Sequence, residues 1–320
     1  MPQALSNLSV GAKVVDTTSL CYGAPIVFKV VAKNHTGYPV NSVTLISDKI
    51  LCIKAFDAME ASNSDSNRRL YGNNRYLYAN LRCWLNSEAA AWYAAQHGAD
   101  APPSAANVSS GYNPYETESG FMTGLSAAFK ATILPTTRTV VKNTVTDGGG
   151  TETVTDKFFL ASVTEVGLAN EGVAEGTLLA GFSNDASRVA YPTAEAVANS
   201  NYTNSSFNTG AGWYYWLSTP YAADSCYVRY VHSTGTLTFS YAYIGYRGVR
   251  PLCNLNSEIL VSDSPNTNGN YEFVWNTAPN IPVHFDGAWK NSTPYVKQSG
   301  VWKPVTKAYV KQSGTWKQTV

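Results

Sequence analysis

Apolar residues cluster early in the chain. Residues 10–15, residues 25–34 and the run from Val43 to Ile46 are rich in Val, Ile and Phe, the pattern of half-buried or buried strands. From Asn73 to Gln96 the period lengthens. Leu77, Leu81, Trp84 and Leu85 recur at three- and four-residue spacing, with Ala89, Ala90, Trp92 and Tyr93 after them, which predicts a helix ended by Gly98. Residues 99–118 are rich in Pro, Ser and Asn and read as a loop. Gly124 to Ala131 predicts a second, shorter helix stopped before Pro135. Thr139 to Thr155 predicts a β-hairpin with Asp147-Gly-Gly-Gly150 at its tip, Lys157 to Val163 a strand, and residues 183–211 an irregular polar stretch. Two helices followed by short strands predict an α+β layer arrangement.

The segment from Trp213 to Pro251 carries the most information. Tyr227 to Val231 and Thr236 to Tyr243 predict two strands around Ser233-Thr-Gly235. In a regular strand Leu237, Phe239, Tyr241 and Tyr243 would share one face. That face is either half of a core or an exposed binding surface. The number of phenol hydroxyls, each needing a partner when buried, favours exposure. Because a regular strand would also carry Leu237 onto the binding side, a bulge or loop is expected within this stretch. Trp213 and Trp216 read as framework.

The composition of this segment is biased. From Tyr221 to Arg247 there is no Lys, Glu, Gln, Met or Trp, although these five make up roughly one residue in seven elsewhere. None of them can be written by a codon ending in C or T. Asn codons randomised at their two adenines yield Tyr, Asp, Cys, His, Ser, Thr, Phe, Ile and Arg, and never those five. The positions that fit such a history are Tyr221, Asp224, Cys226, Tyr227, Tyr230, His232, Thr238, Phe239, Ser240, Tyr241, Tyr243, Ile244, Tyr246 and Arg247. They are the candidate ligand-binding residues, because Tyr offers large rigid contacts at low entropic cost and Ser and Gly adapt their hydrogen bonds. The strand propensity of Tyr, Phe, Thr and Ile yields the same bias without any diversification.

The framework around these positions reads Trp-Leu-Ser-Thr-Pro, then Val-Arg-x-Val-x-Ser-x-Gly-x-Leu, then Ala, then Gly-Val-Arg-Pro. It comprises Trp216, Leu217, Pro220, Val228, Arg229, Val231, Ser233, Gly235, Leu237, Ala242, Gly248, Val249, Arg250 and Pro251. It resembles the variable region of proteins diversified by diversity-generating retroelements, in which adenine-directed mutagenesis rewrites the surface of a C-type-lectin-like fold. Upstream, Val10-Gly-Ala-Lys-Val, Pro25-Ile-Val-Phe-Lys-Val, Asn34-His-Thr-Gly-Tyr-Pro, Val43-Thr-Leu-Ile, Phe129-Lys-Ala-Thr-Ile-Leu-Pro and Lys157-Phe-Phe-Leu-Ala-Ser-Val-Thr-Glu-Val-Gly are similar to the same domain type. The resemblance covers roughly residues 5–256. It implies a phage-tail receptor-binding protein, with a host cell-surface protein or glycan and other tail proteins as partners, and a homo-oligomer, a trimer by family analogy. The family's variable regions often lie at the C-terminus, whereas more than sixty residues follow here, which puts the role of the tail in doubt. A cell-surface binder of a bacterium or prophage, and a structural tail or decoration protein whose Tyr-rich sheet is a subunit contact, are the alternatives.

Bulk properties narrow the classes. The net charge is +1 and charged residues are scarce at 14%, so no basic patch marks nucleic acid as a partner. No apolar run is long enough to span a bilayer and no signal-peptide pattern opens the chain. These readings suit a virion protein assembled in the cytoplasm. Cys21, Cys52, Cys83, Cys226 and Cys253 form no Cys-x-x-Cys pair, so neither a zinc ribbon nor a redox motif is expected, and no cofactor or metal is. All but Cys226 read as buried free thiols, and Cys226 as a surface position. His35, His97, His232 and His284 lie in scattered contexts without a catalytic motif, so an enzyme is not expected. Formylglycine-generating oxidases share the implied fold and use paired cysteines, but Cys226 and Cys253 are the only nearby pair here.

The domain reading is a ligand-binding domain over 1–256, a connecting segment over 257–285 and a β-repeat module over 286–320. The repeat is Gly287-Ala-Trp-Lys290, Gly300-Val-Trp-Lys303 and Gly314-Thr-Trp-Lys317, with Tyr295-Val-Lys-Gln-Ser and Tyr309-Val-Lys-Gln-Ser between them. One strand, a Gly turn and a second strand per repeat is the simplest reading, for assembly or for sugar binding. Asp263-Ser-Pro-Asn-Thr-Asn-Gly269 is a poor calcium loop, with Pro265 and Thr267 where oxygen ligands are wanted and Asn268 in place of the turn Gly.

Overall fold

A computed structural model describes residues 2–275 and, beyond them, mainly the backbone of six short strands. It divides into two units, Met1–Phe273 and Val274–Val320.

The first unit is mixed α+β, mostly sheet. Its strands are β1 (Gln3–Ala4), β2 (Lys13–Cys21), β3 (Ala24–Lys33), β4 (Ser42–Ser47), β5 (Cys52–Lys54), β6 (Ile133–Leu134), β7 (Thr136–Val141), β8 (Thr151–Asp156), β9 (Tyr215–Pro220), β10 (Tyr227–Val231), β11 (Leu237–Tyr241), β12 (Arg247–Val249), β13 (Leu252–Asn256), β14 (Leu260–Val261) and β15 (Asn270–Glu272). Its α-helices are α1 (Ser66–Tyr71), α2 (Asn80–Leu85), α3 (Ala127–Thr132), α4 (Asp185–Arg188) and α5 (Ala194–Ala198). One sheet runs β15-β2-β3-β4-β13-β6 and a second runs β11-β10-β9-β12-β5. The first three apolar runs become β2, β3 and β4, because Val14, Phe28, Val30, Val43, Leu45 and Ile46 are all fully buried. Phe28 stacks on Phe129 of α3 at 5.3 Å, so the first sheet and that helix share one core.

Arg250 ties the two sheets together. It is 1% exposed. Its Nε donates to the Ser47 carbonyl at 2.9 Å, and its guanidinium lies 5.4 Å from the Tyr215 ring. A cation buried this deeply is tolerable only because backbone carbonyls and a ring face replace its water.

Three expected elements differ. The helix over 73–96 shrinks to α2. Asn86 ends it: its Nδ2 donates to the carbonyls of Arg82 and Phe158, and its Oδ1 accepts from the backbone N–H of Lys157 and Phe158. Beyond it Ala89 and Ala90 are exposed, whereas Trp92 is buried by stacking on Tyr115 at 5.4 Å. The apparent helical period thus mixed a short helix with one anchored ring. Lys157 to Val163 is not a strand. From Phe158 onward it is buried, but its backbone bonds go to Asn86, Leu252, Tyr76, Ser218, Glu165 and Thr219 in turn instead of to one neighbouring strand. Residues 257–273, read as a connector, belong to the first unit: β14 pairs with β1, β15 pairs in parallel with β2, and Phe273 packs on Phe129.

The second helix begins at Ser126, whose hydroxyl accepts from the Phe129 N–H as an N-cap. The hairpin forms as β7 and β8, with its Gly-rich tip in the left-handed region that glycine tolerates.

In the second unit, Ile281–Phe285 pairs with Ala288–Ser292, Tyr295–Gln298 with Val301–Pro304, and Tyr309–Gln312 with Thr315–Gln318. Each repeat is therefore one hairpin, with Trp289 opposite His284, Trp302 opposite Lys297 and Trp316 opposite Lys311 in the registers. The turn glycines of the repeats lie outside the described residues.

Candidate ligand-binding face

β10 and β11 form an antiparallel hairpin in regular register: Tyr227 opposite Tyr241, Arg229 opposite Phe239, Val231 opposite Leu237. No bulge separates Leu237 from the aromatic positions; the irregularity lies instead between β10 and β9, at Val228 to Tyr230. One side of the hairpin is thus Tyr227, Arg229, Val231, Leu237, Phe239 and Tyr241. At the end near the Ser233-Thr-Gly235 turn this side is core, where Val231 is fully buried and Leu237 packs against the same cluster. At the other end it is a partly exposed array of rings.

The array is continuous. Tyr221 stacks on Phe239 at 4.9 Å, Tyr227 meets Phe239 at 4.8 Å and stacks on Tyr241 at 4.5 Å, and Tyr241 stacks on Tyr71 at 4.2 Å. Tyr243 closes the series at 5.7 Å from Tyr71. Phe239, at 42% exposed, is its most open large apolar member. Arg229 lies 4.6 Å from the Tyr221 ring and donates from Nε to Glu171 at 2.6 Å. The adjacent Tyr241 hydroxyl pushes the Tyr227 phenol pKa above its ordinary value.

The loop over 221–227 is braced from within. Asn74 Nδ2 donates to the carbonyls of Asp224 and Tyr227 at 2.7 and 2.9 Å. Arg68 donates to the Ser225 carbonyl, the Ser225 hydroxyl donates to Asp65 at 2.8 Å, and the Thr144 N–H donates to the Ala222 carbonyl at 2.8 Å. Such bracing lowers the ordering cost of any contact the loop makes.

The opposite side of the hairpin differs. Tyr230 and Trp216 are cross-strand partners with rings 6.1 Å apart, and Trp216 donates from its indole to the Lys54 carbonyl at 2.9 Å. Farther out, Arg247 sits among three phenol rings, 4.8 Å from Tyr214, 4.6 Å from Tyr230 and 4.8 Å from Tyr246. His232 meets Tyr214 at 4.9 Å, and Tyr202 stacks on Tyr246 at 4.5 Å.

Four of the fourteen candidate positions are buried and not on the exposed face that the sequence pattern predicts. Cys226 is 1% exposed because the 221–226 turn folds it inward, where its thiol donates to Asp224 at 3.1 Å. Burial pushes that thiol pKa up, so it is neither an open surface position nor a reactive one. Tyr230 and Ser240 point to the Trp216 side by strand alternation, and Ile244 lies in the turn after β11. That turn presses on its neighbour so closely that a Cβ at Gly245 would overlap the Tyr112 carbonyl. The remaining ten are partly or fully exposed, and Tyr221, Tyr227, Phe239, Tyr241 and Tyr243 come together in the ring array, while Asp224 shapes its braced loop. His232, Thr238, Tyr246 and Arg247 stand apart from it.

Tyr71 and Arg229 belong to the array although sequence reasoning did not place them there. Tyr71 ends α1, and nothing local marks it as a neighbour of Tyr241. Arg229 read as framework, but alternation with Val228 and its register opposite Phe239 could have revealed it.

A family model for a domain of unknown function, DUF6273, matches residues 41–257. The chain belongs to that family. The DUF6273 region contains the whole second sheet, the hairpin and both flanking loops. Neither a curated protein nor a solved structure matches the chain. Among the described residues, no helix is long and apolar enough to cross a membrane.

Proposed function

We propose that this chain is a hypervariable ligand-binding protein of a phage tail, displaying retroelement-diversified residues on a C-type-lectin-like scaffold. Its ligand is a protein or glycan of the host cell surface. The contact set is Tyr221, Tyr227, Phe239, Tyr241 and Tyr243 with Tyr71 and Arg229.

One observation supports this reading: the framework and variable positions that the sequence pattern distinguishes differ in burial. Eleven of the fourteen framework residues are buried, against four of the fourteen variable ones, so substitution at most variable positions leaves the core intact. Exposed substitutions typically change stability by about 0.5 kcal/mol or less, whereas aromatic contacts at an interface contribute about 2 kcal/mol or more. A face can therefore change its ligand while the fold persists. The role is binding, not catalysis, because the array supplies rings and a paired guanidinium in place of a nucleophile with an adjacent base.

The test is the DNA flanking the gene. A second, imperfect copy of the segment encoding Trp216 to Pro251, beside a reverse transcriptase and differing almost only at adenines of that copy, is the expected result. If no such copy exists, diversification is wrong and a fixed subunit contact becomes the better reading of the same rings.

A further inference from the structure

Beneath the Tyr243 end of the ring array lies a cluster that the binding reading does not use. Glu60 follows β5 and is 1% exposed. His97 and Asp100 come from the irregular segment after α2. One ligand atom from each of the three lies within 4.8 Å of the other two. His97 Nε2 stands 2.8 Å from a Glu60 oxygen. The two are not aligned for a hydrogen bond, so Nε2 is buried without a hydrogen-bond partner. The contact is thus an ion pair when the ring is protonated, with no aligned hydrogen bond beside it.

The charge balance points the same way. Asp57, 1% exposed, accepts from the backbone N–H groups of Asn73 and Asn80, whose side chains donate to Glu60 and Asp100. Among the described residues, no Lys or Arg makes an ion pair with any of these three carboxylates. Burying carboxylates against a single imidazole is costly. A bound cation would offset that cost.

We infer that Glu60, His97 and Asp100 form a binding site for a divalent transition-metal cation, with zinc the best fit. An imidazole nitrogen with two carboxylates is a zinc-type donor set, whereas calcium and magnesium prefer oxygen alone. The ligands are already oriented by a surrounding set of hydrogen bonds. Asn63 and Asn73 donate to Glu60, while Asn80 and the Gln96 N–H donate to Asp100 at 3.1 and 2.6 Å. Such a cation would brace the binding face, because the N–H groups of Phe56 and Asp57 donate to the Ala242 carbonyl next to Tyr243. The inference stands independently of what the face binds.

The experiment uses the full, untagged chain stripped with a chelator, then titrated with zinc chloride by calorimetry. Metal content and melting temperature are followed in parallel. The expected result is one equivalent of zinc bound and a rise in melting temperature. His97→Gln and Asp100→Asn should each weaken affinity by about tenfold or more. Both sit on irregular, partly exposed backbone, and far-UV circular dichroism checks that each folds. If the stripped chain takes up no zinc, or if both folded variants bind it like the parent, the inference is overturned and His97 is simply the counterion of Glu60.

Discussion

The two sides of the β10–β11 hairpin are made from the same few residue types and do opposite things. Tyr227 and Tyr230 are three positions apart on one strand. Tyr227 lies in the partly exposed ring array, stacked on Tyr241. Tyr230 is 6% exposed and wedged against Trp216. Val231 and Leu237, on the same side as Tyr227, face the apolar core cluster at the turn end of the hairpin, where Val231 is fully buried. A tyrosine's role here is decided by strand parity and by distance along the hairpin, and composition reports neither.

The largest effect should come from the buried side. Trp216→Ala removes a ring that touches Phe56 and Tyr230, together with the indole hydrogen bond to the Lys54 carbonyl. It should cost about 3–5 kcal/mol and abolish cooperative thermal unfolding. Tyr230→Ala should cost about 3 kcal/mol and Tyr227→Ala about 1 kcal/mol. Equal losses in urea denaturation would break the comparison between the two sides.

A pH series probes the interior behind the hairpin. Glu175 accepts from Thr219 of β9 and from the Val141 N–H at 2.9 Å, and burial pushes its carboxyl up from 4.5 to about 7. Below about pH 4.5 the group is protonated in folded and unfolded chains alike. Between there and about pH 7 the unfolded chain ionises first, so stability declines as pH rises. The loss should reach up to about 3 kcal/mol by pH 8. Glu175→Gln should flatten that decline, measured by urea denaturation at about pH 5 and pH 8. The smallest effect belongs to the open end of the array. Phe239→Ser should change stability by about 0.5 kcal/mol. A melting temperature many degrees lower would show that the ring is core.

The sequence by itself determined the strands β2, β3, β4, β10 and β11, the hairpin of β7 and β8, the capped helix α3 and the repeat of the tail. These follow from local period, turn residues and capping chemistry, which the chain carries residue by residue. It also marked the span from Tyr221 to Arg247 that holds most of the ring array, through its density of Tyr and its lack of Lys, Glu, Gln, Met and Trp. Only the tertiary structure decided that Asn86 halts α2, that residues 257–273 join the first unit, and that Tyr71 completes the array. The same holds for Cys226, Tyr230, Ser240 and Ile244 facing inward and for Glu60 meeting His97 and Asp100. Each of those depends on which distant segment lies opposite, and long-range pairing leaves no periodic trace in the segments it joins.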